Sequence, residues 1–424
     1  MTTDNGSTTP ASYRNVVLAM LLIVYTLNYL DRQIVGILAQ AIKADLKLTD
    51  SQLGLMGGLA FAILYTSLAI PIARLADRFN RVRIITIALV TWSAFTGLCG
   101  MAAGFTSLFL ARLGVGIGEA GGIAPTLSIL SDYFPPERRA RALALLALGL
   151  PLGSAFGLLI GGWLAAMYSW RTAFLTMSAV GLAIAPIFLF AVREPARGRL
   201  DSTPVSDGPA PSLLTVLRTM APKRTFWLIS LASAMASMIT YGLSFWLPAF
   251  MQRSHHLDIA STANFLAGIA LTGGVAGSLA GGYLSDHLGR TDRRAYGRVP
   301  AIAFAIALPA LFLAINLSSL PLVFAALLVP QMMGHMWMAP SLAVVQNVTP
   351  ASMRATASAI YLFIVNMFGL GIGTVAFGVL SDLLTARFGD GALRYAILIC
   401  GAVLYPLATL LYFAAGRSIN RDMP

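Results

Sequence analysis

The stretch "ARLADRFNRVR", residues 73–83, has a counterpart in "GYLSDHLGRTDRR", residues 282–294. Each stretch carries an aspartate at the end of an apolar run and basic residues after it, and Asp77 and Asp286 lie 209 residues apart. Because this spacing is about half of the chain, the two stretches mark corresponding positions of two long repeats.

A second pair of stretches has nearly the same spacing. "PERRARA", residues 136–142, corresponds to "PASMRATA", residues 350–357, and Arg139 and Arg354 lie 215 residues apart. Basic loops alone would not reproduce both spacings. The sequence therefore predicts two similar halves, related as the parallel repeats of membrane transporters are.

The composition places both halves in a membrane. Hydrophobic residues make up 57% of the chain, charged residues make up 11%, and the mean hydropathy is +0.77. These values are typical of a multi-pass membrane protein. A helix needs about 20 apolar residues to cross the hydrocarbon core of a bilayer. The sequence predicts an all-α membrane protein with twelve such helices in two six-helix bundles. We number them spans 1 to 12, and they lie near residues 15–42, 50–73, 82–104, 106–131, 140–168, 171–192, 225–251, 258–285, 299–317, 320–348, 354–384 and 392–416.

The polar stretches divide the chain into five parts. The first residues, "MTTDNGSTTPAS", are polar and lack the profile of a cleaved signal peptide, so we expect a disordered tail. The stretch after Val192 is rich in Pro, Gly, Ser and Arg, which is typical of a linker, and residues 212–220 fit a short interfacial helix. The predicted parts are a tail at 1–13, an N-terminal bundle at 14–192, a cytoplasmic linker at 193–223, a C-terminal bundle at 224–416 and a tail at 417–424.

The basic residues predict the orientation. A net charge of +12 is compatible with nucleic-acid binding, but the charges lie in short loops between apolar runs. With the N-terminus inside, 21 of the 29 Lys and Arg residues lie on the cytoplasmic side and six lie outside. The excess of positive charge inside predicts that both termini are cytoplasmic, in a bacterial inner membrane.

Four charged residues interrupt the apolar runs of the first half. Asp31 and Arg32 lie in span 1, and Arg112 and Glu119 lie seven residues apart in span 4, on one helix face. A carboxylate inside a membrane either pairs with a cation or takes up a proton. We expect Arg112 to be the fixed charge and Asp31 and Glu119 to be its switchable partners, which would couple transport to protons. The alternative is a static ion network that fixes the packing of the helices.

The expected substrate cavity has one charged wall and one apolar wall. Arg32 shares a helix face with Asn28 and Tyr25, so it either contacts the substrate or only orients span 1. The second half holds no deep acid but several aromatic residues, and a mid-span histidine that is either a core residue or a pH-sensitive contact. Together the predicted cavity residues are Arg32, Asn28, Tyr25, Trp246, His335 and Tyr361.

The repeated Asp–Arg stretches predict a gate at the cytoplasmic end. Asp77 would approach a helix N-terminus of the other half, and Arg78 or Arg81 would pair with Asp132. Such contacts would form when the cytoplasmic ends close. The alternative is that these charges only set the topology and cap loops. The predicted gate residues are Asp77, Arg78, Arg81, Asp132, Asp286 and Arg290.

Nothing in the sequence indicates an enzyme, a metal site or a cofactor. Cys99 and Cys400 are isolated in predicted spans, and two of the four histidines, His255 and His256, lie in an outer loop. No nucleophile–base pair or metal-ligand spacing is present. A channel or a non-transporting sensor is harder to exclude than an enzyme.

From Tyr13 to about Arg417 the chain resembles the major facilitator superfamily. The stretches "NYLDRQIVG" at 28–36, "DRFNR" at 77–81 and "RLGVGIGEAGG" resemble its spinster-like branch, whose eukaryotic members export lysophospholipids or sphingosine phosphate. The resemblance implies proton-coupled transport in bacterial relatives, with the coupling set and the first gate motif named above. The gate motif departs from the superfamily pattern at Ala73 and Asn80, where glycine is usual.

The expected function is therefore proton-coupled secondary active transport of an amphiphilic, anionic small molecule by alternating access. The partners expected are this substrate, protons and membrane lipids, with no nucleic acid, and a monomer suffices for the architecture. The alternatives are an organic-anion or sugar-acid symporter and a multidrug exporter of the same fold.

Overall fold

The computed structural model describes residues 10–197 and 212–422. Most of the predicted N-terminal tail, the middle of the predicted linker and the last two residues lie outside the described residues. Span 1 begins at Ala11, so the end of the predicted tail is helical, and span 12 continues through the predicted C-terminal tail to Asp422. Between the two bundles, the expected short helix is present at Leu213–Met220.

The described residues form helices, turns and loops, and the spans lie close to their predicted positions. The first bundle has the helices Ala11–Leu46, Asp50–Gly54, Leu55–Leu59, Ala60–Arg78, Arg81–Gly100, Phe105–Glu119, Ile123–Tyr133, Pro136–Ala147, Gly149–Met167 and Trp170–Ala191. The second bundle has the helices Arg224–Ser254, Ile259–Gly289, Ala295–Asn316, Leu320–Met333, Met338–Val348, Ala351–Met353, Arg354–Asn366, Met367–Ile372, Gly373–Phe388, Gly389–Gly391 and Ala392–Asp422.

Eleven helical segments in the described part of the chain are long and apolar enough to cross a membrane. The last, Thr356–Asp422, has 67 residues, far more than one crossing needs. A turn at Gly389–Gly391, where Gly389 adopts a positive φ of 52°, divides it into spans 11 and 12. The segments therefore provide the twelve predicted crossings.

Spans 4 and 10 are broken at matching positions, which supports the repeat. Span 4 stops at Glu119 and resumes at Ile123, and span 10 stops at Met333 and resumes at Met338. The third residue of each resumed helix is a proline, Pro125 or Pro340. Because a proline lacks an N–H and its ring clashes with the carbonyl one turn earlier, an uninterrupted helix is disfavoured at both places. Glu119 is the last residue before the break of span 4.

Spans 2 and 11 each contain a π-helical turn, at Leu55–Leu59 and Met367–Ile372, and the two turns face each other across the bundles. Thr374 donates a hydrogen bond to the carbonyl of Gly54 at 2.9 Å. A Cβ on Gly58 would lie 1.9 Å from the Thr374 hydroxyl and 2.2 Å from the carbonyl oxygen of Leu370. Glycine is therefore required for this approach of the two backbones.

The halves are joined at one end of the molecule. We call the end where span 1 begins and span 12 finishes the proximal end, and the opposite end the distal end. Among the described residues, the hydrogen bonds between the halves lie at mid-depth or towards the distal end, such as Gln33–Ser244 at 3.0 Å and Trp163–Asn264 at 3.1 Å. The structure is therefore closed distally, and no hydrogen bond holds the described parts of the two halves together proximally.

Candidate functional site

The central feature of the site is an ion pair between Arg32 and Glu119. The Arg32 Nε lies 2.7 Å from Glu119 Oε2, and both side chains are buried. A second donor of the same guanidinium contacts the amide oxygen of Asn28 at 3.0 Å, one helical turn earlier in span 1. The prediction that Glu119 pairs with Arg112 is therefore wrong, because the break of span 4 presents Glu119 to Arg32.

Aromatic rings hold the guanidinium of Arg32 in place. Its central carbon lies 4.9 Å from the ring centre of Tyr29, 4.8 Å from that of Phe61 and 4.6 Å from that of Tyr65. The faces of aromatic rings attract cations, most strongly where water is excluded. Arg32 is therefore a fixed part of the site, and the sequence analysis did not identify Phe61 and Tyr65 as its neighbours.

Asp31 and Arg112 lie nearby without a direct ion pair. Asp31 is buried and accepts one long hydrogen bond, at 3.4 Å, from the Thr96 hydroxyl. It lies close enough to Arg112 and Glu119 to interact with both electrostatically. Arg112 is buried, and its central carbon lies 5.5 Å from the ring centre of Phe61. The predicted coupling residues are thus clustered, but the predicted contact between Arg112 and Asp31 is not made.

Several polar atoms of this cluster have no hydrogen-bond partner among the described residues. They are the Nε of Arg112, the Oε1 of Glu119 and the amide nitrogen of Asn28. Buried polar groups of proteins are nearly always paired, so an unpaired set in one place needs an explanation. The cluster has unused capacity to bind a proton, water or a polar ligand group.

A small cavity adjoins these residues between the two bundles. Its volume of about 20 Å³ accommodates a water molecule rather than a substrate. Arg32 and Arg112 lie on the wall of the first half, and the wall of the second half carries no charge. The lining residues are Arg32, Gln33, Gly36, Gly57, Phe61, Arg112, Tyr241, Ser244, Phe245, Leu370 and Thr374.

Three residues predicted to line this cavity in the second half lie elsewhere. Trp246 is fully buried and donates to the carbonyl of Thr374 at 2.9 Å, so it belongs to the core. Tyr361 is buried in a hydroxyl network and donates to Ser233 at 3.1 Å. His335 contacts the carbonyl of Gln331 through Nδ1 at 2.8 Å and lines a separate small cavity.

Their place in the substrate cavity stays a prediction, because the helical period gives the relative directions of side chains but not the direction of the cavity. In the first half, Asn28 contacts Arg32, whereas Tyr25 packs edge-on against Tyr29, with ring centres 5.1 Å apart. Tyr241, an aromatic residue of span 7, does line the central cavity.

At the proximal end the expected pair of Arg81 and Asp132 is present, at 2.5 Å, but it lies within the first half and is formed although the two halves are not joined at this end. Arg81 is buried and also contacts Glu194 at 2.7 Å, a residue of the predicted linker that the sequence analysis did not single out. Asp77 and Arg78 are exposed at the end of span 2. The predicted gate residues of the first half therefore divide into a bonded pair and an exposed pair.

In the second half the corresponding residues form a different contact. Asp286 accepts a hydrogen bond from the hydroxyl of Tyr296 at 2.9 Å, and Arg290 is exposed. The structure shows no ion pair between Asp286 and Arg290 among the described salt bridges. The two repeats are thus not equivalent at the proximal end.

The start of the linker covers the loop between spans 2 and 3. Glu194 accepts a hydrogen bond from the backbone N–H of Val82 at 3.0 Å, in the first turn of span 3. Arg197 donates to the carbonyls of Ala76 and Phe79, at 2.8 and 2.7 Å, where span 2 ends. An acid at a helix start and a base at a helix end both complement the helix dipole. These contacts fix the loop that carries the Asp–Arg motif.

Comparisons with known proteins identify the family of the chain. The sequence pattern of the family described as Major Facilitator Superfamily matches residues 21–374. An "MFS-type efflux pump" of Mycolicibacterium smegmatis is 35% identical over 95% of this chain and 93% of its own. A "Hexuronate transporter" of Bacillus subtilis is 28% identical over 66% of each chain.

A solved structure with the same fold is that of a bacterial homolog of the human lysosomal transporter Spinster, in an inward-facing and unoccupied conformation. It is 28% identical, covers 98% of this chain and 99% of its own, and superposes with a TM-score of 0.88. The similarity extends through both bundles, and the predicted resemblance to the spinster-like branch is confirmed. The chain belongs to the Major Facilitator Superfamily, whose members are membrane transporters and not enzymes.

Proposed function

We propose that this transporter moves an amphiphilic, anionic small molecule in exchange or together with protons, by alternating access. The observation that supports this function best is the buried Arg32–Glu119 pair beside the cavity between the two bundles. One oxygen of Glu119 is bonded to Arg32, whereas the other makes no hydrogen bond of ordinary length among the described residues and has only the Asn28 amide nearby. A carboxylate in this setting can accept a proton without first breaking a hydrogen bond.

Protonation changes the balance of charge in the site. With Glu119 and Asp31 ionised, two carboxylates lie among the two guanidinium groups of Arg32 and Arg112. A proton on Glu119 Oε1 neutralises that carboxylate and weakens its attraction for Arg32. The freed guanidinium remains charged, since arginine does not lose its proton in proteins. It then needs another anion, and a bound substrate can supply one.

The chemistry of the cavity wall supports an amphiphilic substrate. The wall of the first half carries Arg32 and Arg112, which suit a carboxylate or phosphate group. The wall of the second half carries Tyr241, Phe245 and Leu370, which suit an apolar part. An anionic head would therefore lie against the first bundle, and an apolar tail against the second.

Alternating access requires that the two ends of the cavity open in turn. The distal contacts described above hold the distal end closed. The excess of basic residues at proximal loops supports a cytoplasmic position of the proximal end in a bacterial cell, with both termini inside. We propose that Asp77, Arg78, Arg81 and Asp132, with Asp286 and Arg290 in the second half, act as the gate of this end.

The proposal is tested with the purified transporter in vesicles that carry an imposed pH gradient. We expect uptake of a labelled lysophospholipid with an anionic head group to depend on the gradient, and Glu119→Gln and Asp31→Asn to abolish that dependence. Asp390→Asn, a change of an exposed distal acid, is the matched control. Full gradient-driven uptake by both carboxyl variants would refute proton coupling through these residues.

A second candidate is a symporter of sugar acids. The hexuronate transporter of Bacillus subtilis is a relative, and the buried Nε of Arg112, which has no partner among the described residues, suits a small carboxylate. Competition experiments separate the two candidates. Inhibition of uptake by glucuronate, without inhibition by lysophospholipid, would favour the symporter.

A third candidate is a multidrug exporter, because the mycobacterial relative carries the name of an efflux pump. Such a transporter would accept many chemically different compounds. Inhibition of uptake by several unrelated cationic dyes, with little inhibition by an anionic lysophospholipid, would favour the multidrug exporter over the other two candidates.

A further inference from the structure

Two aspartates at the distal end, one from each half, bind into the opposite half. Asp50 begins span 2 and is buried. Its carboxylate accepts two hydrogen bonds from the Arg253 guanidinium of span 7, at 2.7 and 2.6 Å. It accepts a third from the hydroxyl of Ser381 in span 11, at 2.7 Å. A bidentate arginine–carboxylate pair of this kind is among the strongest polar contacts in proteins.

Asp382, the next residue of span 11, makes the reverse contact. Its carboxylate accepts hydrogen bonds from the backbone N–H groups of Asp50 and Ser51, at 3.0 and 2.7 Å. It also accepts one from the Ser51 hydroxyl, at 2.5 Å. The first N–H groups of a helix have no carbonyl partner within the helix, and the helix dipole favours an anion there. Asp382 therefore caps a helix of the other half.

Neighbouring side chains reinforce both contacts. Lys43 of span 1 lies 2.6 Å from the Asp50 carboxylate, and Arg253 also donates to the amide oxygen of Gln40 at 2.8 Å. If the halves separated at this end, Asp50 would keep Lys43 but lose Arg253. The first turn of span 2 would lose Asp382. These interactions therefore exist only in the distally closed state, so they favour that state over the open one.

We propose that Asp50 and Asp382 form a reciprocal latch that sets how often the distal end opens. Asp382 is a positioning residue of the transport cycle, since it touches neither the cavity nor the coupling residues. The proposal rests on the alternating access proposed above, but it requires neither proton coupling nor a particular substrate. Its test therefore uses conformational distances and not transport.

The test measures distances between spin labels by pulsed electron resonance in nanodiscs. Cys99 and Cys400 are first replaced by serine. Met101→Cys and Ala386→Cys report the distal end from positions exposed in each half, and Arg83→Cys with Leu288→Cys reports the proximal end. In Asp382→Asn we expect the distal distance to lengthen and the proximal distance to shorten. The ratio of closed to open molecules should fall by roughly tenfold, since a charge-assisted cap is lost.

Matched variants separate the latch from a general loss of structure. Asp382→Glu keeps the charge and should restore most of the closed population, and Asp390→Asn should leave both distances unchanged. Arg253→Gln breaks the other half of the latch and should open the distal end as Asp382→Asn does. It also provides the test if Asp382→Asn does not fold. The proposal is overturned if Arg253→Gln has the same distance distributions as the parent and Asp382→Asn, where it folds, also has them.

Discussion

The guanidinium of Arg32 lies 2.7 Å from the carboxylate of Glu119, although the two residues belong to different spans and lie 87 positions apart. The pair joins span 1 to the break of span 4, inside the first bundle and beside the cavity between the halves. A structural change that separates these spans must therefore either break the pair or neutralise Glu119. This relation between Arg32 and Glu119 leads to the first of four predictions.

Arg32→Lys should impair transport even though the positive charge is kept. Lysine cannot contact both Glu119 and Asn28 with a planar group, and it stacks less well on Tyr29, Phe61 and Tyr65. We expect a loss of roughly tenfold in uptake at low substrate concentration, which corresponds to about 1.4 kcal/mol. Initial rates in vesicles measure this loss, with Arg83→Lys as the control. Equal rates for Arg32→Lys and the parent would show that only the charge matters.

Gly58→Ala should destabilise the contact between spans 2 and 11. The added methyl group would lie 1.9 Å from the Thr374 hydroxyl, within the π-helical turn, so the two backbones must move apart. Overpacking of this kind costs about 1–3 kcal/mol. A thermal unfolding experiment in detergent should give a lower melting temperature than that of the parent. Gly391→Ala, where a methyl group meets nothing within 4 Å, should leave it unchanged.

Arg81→Ala should destabilise the proximal end of the first bundle. The change removes the ion partner of Asp132 and Glu194 and the hydrogen bond to the Ser128 hydroxyl. Breaking a buried ion pair on one side costs about 3–5 kcal/mol. The measurement is thermal unfolding, compared with Arg83→Ala, an exposed arginine two residues later. A melting temperature equal to that of Arg83→Ala would show that the buried pair adds no stability.

Tyr241→Phe and Trp246→Phe should differ in what they affect. Tyr241 lines the central cavity, so loss of its hydroxyl should raise the KM for transport. Trp246 donates to the Thr374 carbonyl in the core, so its replacement should lower stability and leave the KM unchanged. Concentration series in vesicles and thermal unfolding test the two effects separately. The reverse result would place Trp246, and not Tyr241, at the substrate.

The positions of the spans and the repeat were predictable because long apolar runs and matched motifs are properties of the chain itself. The residues that cluster in the first half were predictable too, since ionised groups inside a membrane are costly and therefore few. The partner of Glu119 was not predictable. It depends on the break of span 4, which changes the direction of Glu119, and on the rotation of span 1, which decides whether Asp31 or Arg32 faces it.

The contacts of Glu194, Asp50 and Asp382 were missed for a different reason. Each lies near the end of a helix, where an acidic residue is common and a single sequence gives no sign of its partner. Their roles follow from helix ends that the fold brings together, such as the first turns of spans 2 and 3. Trp246, Tyr361 and His335 do not line the small central cavity, and no charge pattern in the sequence indicates the inward face of the second bundle.

The crossing of spans 2 and 11 has a consequence for how the two bundles turn. Where large side chains interdigitate, one surface can slide over another only if the side chains change rotamer together. At Gly54 and Gly58 the contacts are instead made with the backbone and the short side chain of Thr374. At this crossing the two bundles can therefore rotate against each other without a barrier from interlocked side chains.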